Sequence, residues 1–291
     1  MKLSFILING LMIGGTYALL AAGFALVFGV ANILNFAHTA LYMLTAFFLY
    51  IFMVNLGLPL LLAALLAIIV PTVIAMLFYR FFIYRVKEHK FAVIILTVSL
   101  VIIIEEVLLK VFGTDLRGIE PFIPGFIEIA GTRVSYQHVI TILACIVILI
   151  ALWLLLSKTR MGNAIRAVSQ DGEIAGLMGI NVGRIQVMTV GLSVVLAGIA
   201  AVVVAPLASL DPYMWVNPVI IILAAVVLGG MGNIKGSVYG AFILGYIEVM
   251  VVTLVPQGSF LRGVVSLLAM VLVLIIRPEG LFGVVFEEER L

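Results

Sequence analysis

Nine long apolar runs occupy most of this chain, at residues 4–30, 33–54, 58–79, 91–112, 138–156, 187–209, 216–229, 238–255 and 260–276. A helix needs about 20 apolar residues to cross ~30 Å of hydrocarbon, and most of these runs are of that order. Backbone amides and carbonyls inside a bilayer must bond within the chain, so only helices or a closed barrel cross it. A barrel would show segments of about ten residues alternating apolar and polar, whereas these runs are continuous. The expected fold is therefore all-α: a polytopic transmembrane helix bundle of eight to ten spans. One of the first three runs, or the short run 216–229, could be broken or re-entrant.

Composition closes off the alternatives. The chain is 65% hydrophobic and 10% charged, with mean hydropathy +1.36, where a soluble domain carries roughly a quarter charged residues. No stretch is left for a separate soluble lobe, so residues 1–291 read as a single transmembrane domain. The net charge of +2 comes from loop clusters and offers no nucleic-acid surface. The single cysteine, Cys145, lies in an apolar run, which excludes an intrachain disulfide and speaks against a thiolate metal centre. The run after Lys2 is about twice as long as a signal-peptide core, so it is expected to be an uncleaved first helix.

Charge sets the expected orientation. Residues 80–90 carry Arg80, Arg85, Lys87 and Lys90, and residues 157–186 carry Lys158, Arg160, Arg166 and Arg184. Short basic loops resist translocation, so both should be cytoplasmic, with 113–137 extracytoplasmic between them. Carried forward, the alternation places Lys235, Arg277, Arg290 and the tail FEEERL inside and Arg262 outside; carried backward, it places the N-terminus outside. Within 113–137, Phe126-Ile-Glu-Ile, Ala-Gly-Thr and Arg-Val-Ser predict a small hairpin about a three-residue connection, either docking an external partner or covering the helix ends.

Glycine and a few buried charges mark the interior. Gly232, Gly236 and Gly240 recur every four residues, which on a helix makes a flat strip for close packing. Alternatively Gly229, Gly230 and Gly232 break the helix and turn free backbone groups into a cavity, tolerable at membrane depth only where protein or water satisfies them. The first run ends at Asn35, Phe36 and His38, which place polar groups between two apolar runs. These residues, with Glu248 and the three glycines, are the candidate substrate path. Glu248 sits deep in run 238–255 with no basic residue within a turn, so it must be protonated, paired from another helix or facing water. Its structural and functional readings are equally open. Glu106 and Lys110 are spaced to pair across one turn.

No reactive constellation accompanies these features. HExxH, GxSxG, CxxC and GxxxxGK[ST] are all missing, so the chain is expected to be no enzyme, to hold no metal and to be unable to hydrolyse ATP alone. The basic loop 157–186 instead contains short helical stretches with polar faces.

Within that loop, Glu173, Ala175 and Gly179 form E-x-A-x-x-x-G, which resembles the EAA loop of bacterial ABC importer permeases. Further segments agree: Gly15-Thr-Tyr-Ala-Leu, Gly23 through Gly29, Asn35-Phe-Ala-His, Arg166-Ala-Val-Ser-Gln-Asp, Gly179-Ile-Asn, Leu228-Gly-Gly-Met-Gly-Asn and Arg277-Pro-Glu-Gly-Leu-Phe-Gly. Together they resemble the LivH-type permease subunits of branched-chain amino-acid ABC transporters, from about residue 5 to 283. The resemblance implies a heteromeric importer in a bacterial cytoplasmic (inner) membrane. Its other parts would be a homologous second permease, two ABC ATPases that bind ATP and magnesium, and an extracytoplasmic amino-acid-binding protein. It also implies that Arg166, Glu173, Ala175, Gly179 and Ile180 couple the chain to an ATPase. Thr39 departs from the glycine expected after His38.

Branched-chain amino acids are neutral zwitterions, so helix ends and backbone dipoles can match both charges without a charged pore. Two other readings remain: a urea or amide permease, whose usual longer N-terminal region this chain does not show, and a self-sufficient ion-coupled transporter using Glu248.

Overall fold

The structure, a computed structural model, describes residues 2–129, 131–277 and 280–282. Ala130 of the hairpin, Pro278, Glu279 and Gly283 of the last quoted segment, Arg290 and the FEEERL tail lie outside the described residues.

Among the described residues, eight helices are long and apolar enough to cross a membrane, in keeping with the expected all-α bundle. Helix α1 runs Lys2–Ala31; α2, Ala37–Tyr50, continues as a π turn Ile51–Asn55. Helix α3, Leu60–Phe78, continues through a π turn Tyr79–Ile83 into α4, Tyr84–Val86. Then come α5, Lys90–Phe112, and a hairpin of β1, Phe126–Ile129, and β2, Thr132–Ser135. Helix α6 covers Tyr136–Lys158, α7 Arg160–Gln170, α8 Gly172–Leu177 and α9 Val182–Val204. The chain closes with α10, Val216–Gly229, α11, Ile234–Leu254, and α12, Arg262–Ile276. Short polar side chains start several of these helices by accepting otherwise unpaired amides: Ser135 from Gln137, Thr159 from Gly162, Asn181 from Arg184 and Asn233 from Gly236.

Helix α1 is the spine, packed against α11, α9, α6 and α10. Its contact with α11 is close because neither helix has a side chain there. A Cβ on Gly245 would stand 2.6 Å from Cα and 2.7 Å from N of Gly14. Helices α3, α5, α6 and α12 turn Leu61, Phe91, Ile150 and Ile275 outward, as lipid-facing surfaces require. The basic groups Lys87, Lys90, Arg166 and Lys235 gather at one end, together with Gly29 and Asn32. At the opposite end, residues Arg117 and Leu210 exchange backbone hydrogen bonds of 3.0 and 2.8 Å.

The 14-residue α10 resolves the doubt over run 216–229. Its length is about 21 Å at 1.5 Å per residue, too short for a full crossing. Between Leu210, at the outer edge, and Trp215 the chain dips inward, and the Trp215 indole donates 2.7 Å to Glu105, seven residues before the end of α5. From that recessed start α10 still reaches the basic end, where Leu281 donates to the Leu228 carbonyl at 2.7 Å. Two further expectations change. Ile129 pairs with Thr132, so the hairpin connection is two residues, 130–131, rather than three, because Thr132 is absorbed into the ladder. Glu106 and Lys110 form no ion pair; both point outward, where solvent or headgroups outcompete a helix-surface pair.

Candidate functional site

Two regions carry the candidate residues. The first is the elbow α7–α8 at the basic end. Asp171 breaks the helical path with an extended backbone, and its Oδ1 accepts from the amides of Glu173 and Ile174, both at 2.9 Å, so α8 starts at once in a new direction. Gly179 ends α8 at φ +87°, a left-handed value that costs a side-chain-bearing residue about 1–2 kcal/mol. Its amide bonds Gly176, and the Ile180 amide bonds Ala175. Ala175 is buried and Ile180 half-buried, which anchors the elbow to the bundle. Arg166 is exposed and donates 2.7 Å to Asn163, and the Glu173 carboxylate is also exposed. The structure therefore brings all five residues expected to couple to an ATPase into one elbow.

It adds three that the motif did not single out. Leu177 is 88% exposed, Met178 80% and Ile174 59%. They form an exposed apolar patch at the basic end. Their apolar character was legible in the sequence; that α8 presents them outward was not, because burial of Ala175 fixes the rotation of the helix.

The second region is the candidate substrate path, which divides into three places along α1. Nearest the basic end, Gly232 packs on Gly29, and a Cβ on Gly29 would meet the Gly232 carbonyl at 3.3 Å. Gly230 and Gly232 both have positive φ, so they do interrupt the path from α10 to α11. Gly229, Gly236 and Gly240 instead give close backbone packing between those two helices. Both readings of the glycines thus hold, at different residues. Gly232 lines a cavity of about 2080 Å³ that opens at the basic end beside Asn32, Gln186, Arg166 and Glu173, whereas Gly229 and Gly230 do not.

From the basic end the chain leaves α1 and runs without helix through residues 32–36, and α2 then starts without a side-chain cap beside the middle of α1. His38 is fully enclosed. Its Nε2 lies 3.1 Å from the Leu20 carbonyl, its Nδ1 3.1 Å from Oγ of Ser193, and its ring meets Phe24 edge-on. Both nitrogens are occupied, so His38 ties α2 to α1 and α9. Asn35 is buried with Oδ1 unpartnered, and so is Thr39 with Oγ1, while Phe36 is half-buried. Highest, Glu248 meets Arg262 of α12 at 3.5 Å and faces Tyr17 of α1. A neighbouring helix therefore supplies the partner that its own helix lacks. Glu248, His38 and Gly232 meet α1 at different levels, near Tyr17, Leu20 and Gly29, and the cavity that Gly232 lines includes neither of the others.

Comparison with known proteins places this geometry. A family profile described as branched-chain amino acid transport system / permease component matches residues 6–274. The high-affinity branched-chain amino acid transport system permease protein BraD of Pseudomonas aeruginosa is 29% identical over 297 residues, covering 95% of this chain and 94% of that one. LivH of Escherichia coli, from a system of the same description, is 26% identical over 292 residues, with 94% of each chain covered. Among solved structures, PsaBC from Streptococcus pneumoniae in complex with Fab superposes with a TM-score of 0.50 at 16% identity, over 96% of this chain and 92% of that one. That likeness bears on the fold alone.

Proposed function

The chain belongs to the permease-component family of branched-chain amino acid transport systems, and on that premise we propose that it is the membrane subunit of an ATP-driven importer of leucine, isoleucine and valine. The basic end faces the cytoplasm, following the distribution of lysine and arginine, in the inner membrane of a bacterium. A second homologous permease completes the pathway, and an extracytoplasmic binding protein delivers the amino acid. ATP and magnesium bind to two separate ATPase subunits.

The observation that carries this reading is the elbow. Leu177 and Met178, 88% and 80% exposed, form an apolar knob on a short helix whose two ends are fixed by Asp171 and Gly179. A rigid, capped helix with an unmet apolar face suits insertion into a groove of a partner. It can then pass that partner's displacement into α7 and α9. The cavity at the same end supplies an exit that such a displacement would open and close.

The test is reconstitution of the chain with its ATPase, permease and binding-protein partners in vesicles. Leucine with its binding protein should stimulate ATP turnover and leucine uptake together. Replacing Glu173 or Gly179 with a bulky residue should preserve basal hydrolysis and abolish uptake. Uptake by this chain alone under a proton or sodium gradient would overturn the proposal in favour of ion coupling, and transport of urea in place of leucine would overturn the substrate.

A further inference from the structure

Charge is scarce within the bundle, and its best-buried instance is incompletely satisfied. Glu248 is 2% exposed, six residues before the end of α11. Its Oε1 stands 3.5 Å from Nε of Arg262, while Oε2 is buried with no hydrogen-bond partner. A pair serving only to fasten two helices gains most from two parallel contacts of about 2.7–2.9 Å. Here the carboxylate has only a long contact to Arg262 and the Tyr17 phenol beside it, and Oε2 has no partner within hydrogen-bond distance. The Arg262 side chain is 48% exposed, so part of its guanidinium is open to an arriving anion. Tyr17 turns its phenol toward the same carboxylate from α1.

The position matters as much as the charges. The cavity at the basic end reaches Ala25 on α1 and Val238 on α11. Tyr17 and Glu248 lie beyond it on the same two helices, about 12 Å and about 15 Å further along their axes. Between them Leu20, Ala21, Ala22, Ala241 and Leu244 are buried, on two helices that pack together. Buried apolar side chains thus separate the charged group from the open cavity. Arg262 is also the first residue of α12, whose one buried side chain is Ser266. Whatever separates Arg262 from Glu248 therefore acts on the head of α12, which packs along α10 and α11.

We propose that Glu248 and Arg262, with Tyr17, form an outer lock for a zwitterion. The α-ammonium of an entering amino acid takes the free Oε2 of Glu248, its α-carboxylate takes the guanidinium of Arg262, and the pair separates as α12 moves. One loose ion pair is exchanged for two charge-assisted ones, so a ligand with both charges opens the lock and a ligand with one does not. The inference rests on the reading of the chain as an amino-acid importer and adds where the two charges are recognised.

The experiment uses the assembled transporter in nanodiscs without binding protein and follows its thermal midpoint. L-leucine should raise the midpoint saturably. 3-Methylbutylamine, which lacks the carboxylate, and 4-methylpentanoate, which lacks the ammonium, should not at equal concentration. Glu248→Gln and Arg262→Gln should each weaken the leucine effect by about tenfold or more, and Arg262→Lys, which keeps the charge, by about threefold or less. Equal protection by the single-charge analogues, no leucine effect, or unchanged leucine affinity in both glutamine variants would overturn the lock. If a variant fails to assemble, the analogue series on the unmodified protein decides alone. Leucine-stimulated ATP turnover with the binding protein present separates the two levels: if it persists while the lock fails, the importer reading stands.

Discussion

The α1–α11 seam and the α7–α8 elbow are built from opposite materials. In the seam, Gly14 and Gly245 carry no side chains and the two backbones touch, so the interface is complete within the chain. In the elbow, large apolar side chains project from a capped helix and are mostly exposed. The seam is fixed by contact and cannot move without coming apart. The elbow is fixed by its caps and is free to be covered. A machine that transmits motion needs both, a spine that does not yield and a knob that another protein can grip.

The contrast can be broken most forcefully in the seam. Gly245→Leu should force α1 and α11 apart and cost about 3 kcal/mol, seen as a large drop in thermal midpoint and in the yield of monodisperse protein. A seam that tolerates leucine would show that backbone contact is not what holds the spine. Next, Leu177→Ser with Met178→Ser should leave the thermal midpoint nearly unchanged while weakening ATPase binding by about 2 kcal/mol, roughly thirtyfold. Titration of the partner in detergent would measure it, and a matching loss of stability would move these residues from interface to core. A smaller effect is expected from Asp171→Ala, which removes the cap shared by Glu173 and Ile174. About 1 kcal/mol of local order should be lost, visible as faster amide exchange confined to α8. Gly179→Ala should act at the other end of the same helix with a similar cost, about 1 kcal/mol, and faster exchange in α9 instead would show that the elbow is not an independent unit.

Much of this organisation was readable along the chain. Run lengths gave the spans, and the residues of the EAA-like segment gave the elbow its location. The alternation after Phe126 gave the hairpin, short by one residue in its connection because Thr132 joins the ladder. The candidate substrate path was less legible. Asn35, Phe36 and His38, Glu248 and the glycines were each marked as unusual for a membrane interior, but the sequence held no sign that they contact α1 at separate levels. His38 finds partners at Leu20 and Ser193, the latter 155 residues away.

The sequence by itself bounded how many segments enter the bilayer and determined which loops carry the positive charge and where glycine-rich breaks fall. Each of these depends on hydropathy, charge or backbone preference summed over neighbouring residues. Tertiary structure alone decided that Trp215 is recessed onto Glu105, that Arg262 answers Glu248, and that α8 turns Leu177 and Met178 outward. Each residue advances a helix by about 100°, so a partner depends on the rotation and depth of two helices at once. Those are set by packing between segments far apart in the chain.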